Sequence, residues 1–158
     1  MVQLRLRKDE RVELLRRVEL FSACSTAELG RISALTTEVT AKAGEMLTTK
    51  GEPGLEFFVI IEGRAKASRN DVNLATLGPG SFFGELALLD AGPRTATVVA
   101  ATDMRLLALS RREFTSIYGV VPSVASKIIA ELGARLRKTD DLLDWTPAVR
   151  KRFGSWSL

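Results

Sequence analysis

The sequence predicts an α+β fold: an antiparallel, jelly-roll-like β-roll of about eight strands, with helices before and after it. Three observations carry the prediction. Apolar residues recur at helical spacing near both ends of the chain. Between Glu38 and Leu109 the period shortens, and runs of β-branched and aromatic residues alternate with glycine turns. Capping signatures, Ser25 with Glu28 and Ser110 with Glu113, mark where helices begin. At 158 residues, 46% of them hydrophobic, the chain has the length of one domain and the apolar content for its core.

Asp9 to about Leu20 reads as the first helix, with Val12, Leu15 and Val18 on one side. The Ser25 cap opens a second, running to about Leu35 and aligning Leu29, Ile32 and Leu35. Seven runs then read as strands: Glu38–Lys42, Met46–Thr49, Phe57–Glu62, Arg64–Ser68, Leu74–Leu77, Ala96–Ala100 and Arg105–Leu109. The turns between them fall at Gly44, Gly51–Gly54, Gly63, Asn70-Asp71, Gly78-Pro79-Gly80 and Ala91-Gly92-Pro93. Glu85–Leu89 interrupts the roll with helix formers and no β-branched residue, so a short helix is expected there. After the Ser110 cap a helix runs to about Tyr118. Pro122 starts another, in which Val124, Ile128, Leu132 and Leu136 recur. Asp140–Trp145 would prolong it, and Thr146-Pro147 ends it, because a residue before proline disfavours the α region.

Composition narrows the chemistry. With no histidine, Ser-His-Asp and Cys-His catalysis, HExxH zinc sites and His-ligated haem are excluded within this chain. Cys24 stands alone, which rules out an intrachain disulfide and points to a reducing compartment. No apolar run approaches the ~18 residues of a membrane span, and the first residues lack a secretory signal, so a cytoplasmic location is expected. No metal and no cofactor are expected. The net charge of +4 belongs to the ends: residues 21–134 carry eleven Lys/Arg against twelve Asp/Glu. Solvated helix faces and a basic tail account for it, and nucleic acid is not an expected partner.

The chemistry gathers in Phe82-Phe83-Gly84-Glu85-Leu86-Ala87-Leu88, followed by Pro93-Arg94-Thr95-Ala96-Thr97. If Gly84 ends a strand and a helical turn follows, that turn's unpaired N–H groups can receive an anion. Arg94 can offer two parallel donors to phosphate oxygens. Glu85 would repel a bare phosphate, so its presence implies a further ligand group such as a ribose hydroxyl. The competing reading is a Glu85–Arg94 salt bridge that merely joins two turns. Gly78–Gly84 looks superficially like a dinucleotide loop, but it lacks the long helix and βαβ context of one.

These two runs resemble the phosphate-binding cassette of cyclic nucleotide-binding domains, those of cAMP-dependent kinase regulatory subunits, cyclic nucleotide-gated channels and catabolite activators. The Glu85-to-Arg94 separation is similar to the kinase type, and the likeness extends from about Leu20 to Leu136. The resemblance implies that Arg94 holds a cyclic phosphate and Glu85 accepts from the ribose 2′-OH. Gly84, Leu86 and Ala87 would contribute backbone groups, and Thr95 would lie beside phosphate and base. It also implies cAMP as the first ligand and cGMP as the second. On ligand binding the cassette helix would be drawn inward, and the C-terminal helices would act as hinge and lid. Val59, Ile61, Leu132, Arg135 and Leu136 are candidates for base pocket or lid, with ordinary packing as the alternative for each.

The expected organisation is an N-terminal helix in residues 1–20, a ligand domain in 21–136 (roll about 38–109, C-terminal helices about 110–145), and a basic flexible tail in 147–158. A regulatory sensor, not an enzyme, is the reading. Two alternatives stay beside it. One is the ligand-binding half of a catabolite-activator-like regulator lacking its DNA-binding part, since only about 22 residues follow Leu136 and hold no second helix pair. The other is a ligand-free interaction module. An effector protein, or self-association through the C-terminal helix, is the expected macromolecular partner.

Overall fold

Two hydrophobic layers organise the molecule; strand β8 (Met104–Ser110) belongs to both, and so does β3 (Glu56–Glu62). Its Phe57 and Val59 face the helices, while Phe58 and Ile60 face the interior of the roll. A strand covered on both sides reads as a continuous apolar run, which explains Phe57–Ile61 in the sequence. The computed structural model describes residues 5–88 and 92–142.

The remaining elements follow in chain order. Helix α1 (Lys8–Arg16) and a 3-10 turn (Glu19–Phe21) precede helix α2 (Thr26–Ser33). Strands β1 (Thr37–Ala41) and β2 (Met46–Thr48) come before β3; β4 (Ala65–Arg69), β5 (Val72–Leu77) and β6 (Phe82–Phe83) come after it. A second 3-10 turn (Glu85–Leu88) leads toward β7 (Thr97–Ala100), β8 (Met104–Ser110) and helices α3 (Arg111–Val120) and α4 (Pro122–Leu142). Among the described residues the strands form two four-stranded antiparallel sheets, in the orders β1-β8-β3-β6 and β2-β7-β4-β5. The interior of the roll holds Ile60, Ala65, Val98, Ala100 and Leu106. The second core lies under the helices, where Leu15, Phe21, Leu29 and Ile32 meet Phe114, Val124 and Ile128.

The first helix stops at Arg16, short of the expected Leu20. Val18, Leu20 and Phe21 are all fully buried, and a single helix cannot turn three such residues onto one face, so the chain tightens into a 3-10 turn. The turn inserts Phe21 edge-on against Phe57, ring centroids 6.0 Å apart. The Asn70-Asp71 pair, at φ 51° and 63°, makes a two-residue hairpin turn, so β5 starts at Val72 and not at Leu74. The short strand Phe82–Phe83 was absent from the expected set; two residues are too few for a period to show.

Polar contacts fasten the helices to the roll. The Ser25 cap forms as expected, with Glu28 N–H donating to Ser25 Oγ (3.2 Å) and Ser25 N–H to Glu28 Oε1 (2.8 Å). Glu28 also receives Ser123 Oγ–H (2.6 Å) and Lys127 Nζ (2.5 Å) from α4. The Lys127 bond, then those from Ser123 and the Ser25 backbone, hold the Glu28 carboxyl well below the ordinary value, at about 2. Glu38 on β1 pairs with Arg11 of α1 (3.4 Å) and Arg105 of β8 (3.3 Å). Burial pushes its carboxyl up, but the Leu6 N–H, Arg105 and Arg11 together outweigh burial and hold it low. Among the described residues no helix is long and apolar enough to cross a membrane.

Candidate functional site

Arg94 reaches the site because two chain segments clip together. Pro53 and Pro93 face each other as an isolated antiparallel bridge. Neither proline has an N–H to give, so the bonds fall to their neighbours: Gly54 N–H to Gly92 O (3.2 Å), Arg94 N–H to Glu52 O (2.7 Å) and Gly51 N–H to Arg94 O (2.9 Å). Beyond the clip, Arg69 Nε donates to Thr95 O (2.8 Å), Thr48 Oγ1 to Ala96 O (3.1 Å) and Lys50 N–H to Thr97 Oγ1 (3.0 Å). The loop is therefore tied on both sides before any ligand is considered.

The Arg94 side chain lies against a cavity of about 250 Å³. Phe82, Phe83, Leu77, Ala67 and Val98 give it apolar walls, and Gly84, Arg94, Thr95 and Thr48 give it a polar end. Arg94 Nη2 donates to the Glu56 carbonyl (2.7 Å). Nη1 is buried and has no hydrogen-bond partner among the described residues. It lies so close to Gly84 that a Cβ there would sit 2.5 Å from it, and Gly84 itself is left-handed at φ 79°. Burial pushes the guanidinium below its usual pKa, with Glu56 pulling the other way. Arginine keeps its proton throughout the working range, so among the described residues a half-buried cation has an unpartnered donor beside an apolar cavity. An anion with an apolar portion is the ligand that relieves this.

Gly84, Arg94 and Thr95 thus come together at one cavity. Ala87 is buried under the 3-10 turn, and its N–H already donates to Gly84 O (3.0 Å). Glu85 and Leu86 lie on that turn, which is shorter than the helix expected to reach Leu89. Their side chains lie outside the described residues, so the Glu85–Arg94 contact does too. Val59 is buried beneath the helices and Ile61 borders the groove between α1 and α2; neither lines the cavity. Leu132, Arg135 and Leu136 lie along α4, and their side chains are outside the description, as are residues 143–158 with Trp145 and Trp156. Gly54, Glu56 and Arg69 were missed as site residues. Gly51–Gly54 signalled only a turn, and a backbone carbonyl such as that of Glu56 leaves no mark in a sequence.

Size does not decide the site. The groove between α1 and α2 is larger, about 880 Å³, yet Leu6, Val12, Leu14 and Ile61 line it and no unpartnered buried guanidinium atom borders it. Arg111 Nε is also buried and unpartnered among the described residues. At that helix start, however, Arg111 N–H is engaged by Leu55 O (2.9 Å) and Glu113 N–H by Ser110 Oγ (3.1 Å).

Comparison with known proteins shows the family. Residues 38–119 match the family described as Cyclic nucleotide-binding domain. The chain is 28% identical over 136 residues to the CRP-like cAMP-activated global transcriptional regulator of Mycobacterium tuberculosis, covering 83% of this chain and 61% of that protein. It is 37% identical over 106 residues to the Cyclic AMP receptor protein of Thermus thermophilus, covering 64% of this chain and 49% of that one. Cyclic nucleotide-gated potassium channels and cAMP-dependent protein kinase regulatory subunits are also among its relatives. The chain therefore spans only about half to six-tenths of these two relatives' length. Among solved structures, the N-terminal domain of a transcriptional regulator from Streptomyces coelicolor A3(2) superposes with a TM-score of 0.78 at 36% identity, over 85% of this chain and 97% of that one. With a matching roll and a matching sequence span, the chain belongs to the cyclic nucleotide-binding domain family.

Proposed function

We propose that this chain is a cyclic nucleotide sensor, with cAMP as its first ligand and cGMP as its second, and that it signals through its C-terminal helices. The observation that carries the reading is the buried Nη1 of Arg94, unpartnered among the described residues, at the end of an apolar-walled cavity. In this reading Arg94 clasps the cyclic phosphate and Glu85 takes the ribose 2′-OH. The backbones of Gly84, Leu86 and Ala87 border the sugar and phosphate, and Thr95 lies between phosphate and base. Leu132, Arg135 and Leu136 on α4 supply the lid. Ligand would shift α3 and α4 only as far as it binds one arrangement better than the other, typically by about 1–3 kcal/mol. The chain acts as a binder and not an enzyme, as its regulatory relatives support. Its buried free Cys24 accords with a cytoplasmic location.

The test is calorimetry with cAMP, cGMP and AMP on the protein and on Arg94→Ala. The parent should bind both cyclic nucleotides and discriminate against AMP. Arg94→Ala should lose about 1.5–3 kcal/mol, the scale of a hydrogen bond to a charged group. Unchanged affinity in the variant sinks the reading. On output, a second reading places this chain as the ligand-binding portion of a transcription regulator, favoured by the two CRP-type relatives and their greater length. A cAMP-dependent, salt-sensitive gel shift by a chain extended past Leu158 would support it, and the absence of any shift would count against it.

A further inference from the structure

Gly54 lies outside the cassette, in the loop between β2 and β3, and is buried. A Cβ on it would stand 3.0 Å from Arg94 Cδ, 3.0 Å from Nε and 3.2 Å from Cζ. On the other side, a Cβ on Gly84 would meet Nη1. The guanidinium thus runs through a slot between two glycines, with Nη2 tethered to the Glu56 carbonyl at 2.7 Å. The backbone of the Gly54 wall cannot easily give way, because Gly54 N–H is bonded to Gly92 O and the adjoining Pro53 faces Pro93. The flexible partner is the arginine itself.

We infer that Gly54 is a positioning residue: its missing side chain sets the height and tilt of Arg94, so that Nη2 stays on the Glu56 carbonyl and Nη1 is presented to the ligand's anionic group. The inference rests on the reading of Arg94 as the phosphate clasp. Gly54 is a clean probe, since its φ lies outside the left-handed region and alanine there adds bulk without backbone strain. A methyl at 54 pushes on the Arg94 stem and turns the guanidinium off its tether. The fold should accommodate this, because the displaced group is a side chain. Binding should not, because a charge-assisted bond from Nη1 depends on aim.

A double-mutant cycle tests it, with cAMP as the probe and calorimetry as the readout. Gly54→Ala should weaken cAMP binding about tenfold, the cost of one degraded charge-assisted hydrogen bond. In an Arg94→Lys background, where no planar fork needs aiming, the same substitution should change affinity less than about twofold. The ligand-free Gly54→Ala protein should also show a displaced Arg94 Nε–H resonance with its other amide resonances in place. Equal losses in both backgrounds, or no loss beside the native Arg94, overturn the positioning role while leaving the clasp intact. A Gly54→Ala chain that does not fold overturns it too, making the glycine a folding requirement. If Arg94→Lys itself binds cAMP unchanged, the clasp reading fails first and takes the inference with it.

Discussion

Arg94 and Gly84 show how a single residue can be costly in one account and useful in another. Half-burying a guanidinium and leaving one nitrogen without a partner among the described residues is unfavourable, and at Arg94 it falls beside a cavity where an anion can complete the shell. Gly84→Ala should be doubly harmful. The left-handed backbone at φ 79° resists a side chain, and the new methyl would overlap Nη1 and the Glu56 carbonyl. A stability loss of about 1–3 kcal/mol by urea denaturation is expected, together with a loss of cAMP affinity. Gly63→Ala is the matched control. It is left-handed at φ 92°, with a Cβ that would fall 2.4 Å from the Asp103 carbonyl, but it lies away from the cavity. It should lower stability by a similar amount and leave affinity unchanged. At this scale the sequence was informative for side chains and silent for backbone. Arg94, Gly84 and Thr95 announced themselves as residue types in a pattern, whereas the Glu56 carbonyl that tethers Arg94 had no residue type to announce it.

The N-terminal and C-terminal helices are held to one another by a few contacts with long sequence reach. Glu28 on α2 joins Ser123 and Lys127 in the first turns of α4, across 95 and 99 residues. Its carboxyl sits at about 2, below its ordinary 4.5, so the folded state favours the ionised form. This contribution is fully present above about pH 4.5 and is lost as the pH falls toward 2. Glu28→Gln should therefore cost about 1–2 kcal/mol near neutral pH, discounted for the solvent around Lys127, and little near pH 2. Denaturation midpoints across that range check it. A difference that persists at pH 2 would mean that packing, not charge, is the cause. Phe114 of α3 packs beside Phe21, ring centroids 5.9 Å apart, at the centre of the helical core. Phe114→Ala should cost about 3–5 kcal/mol. The caps at Ser25 and Ser110 made α2 and α3 legible in advance, because a cap is a local chemical signature. The early end of α1 was not legible, since it follows from what Leu20 and Phe21 bury against, which is tertiary information.

At the scale of the whole molecule, the apolar run of β3 serves both cores, so the strand whose Glu56 carbonyl tethers Arg94 also packs against the helices. Ligand that binds only the folded chain should raise its stability by about 2.7 kcal/mol at a hundredfold excess over Kd, a melting shift of roughly 5–10 °C. A thermal titration should show that shift with cAMP, a smaller one with cGMP at equal concentration and almost none with AMP; a flat response to all three contradicts the sensor reading. The helix–roll–helix plan was legible because the change of period at Glu38 and again after Leu109 is a property of the chain itself. How the two sheets face each other was not, because strand order depends on pairings such as β1 with β8 that join distant segments. The paired prolines carry one last consequence. A one-residue slip of either run would set an imide nitrogen, which has no proton, against an acceptor that Gly54 or Arg94 now feeds. The contact behaves as a pawl that blocks sliding, so any travel of the Arg94 backbone, as distinct from its side chain, would swing Gly51–Gly54 along with it.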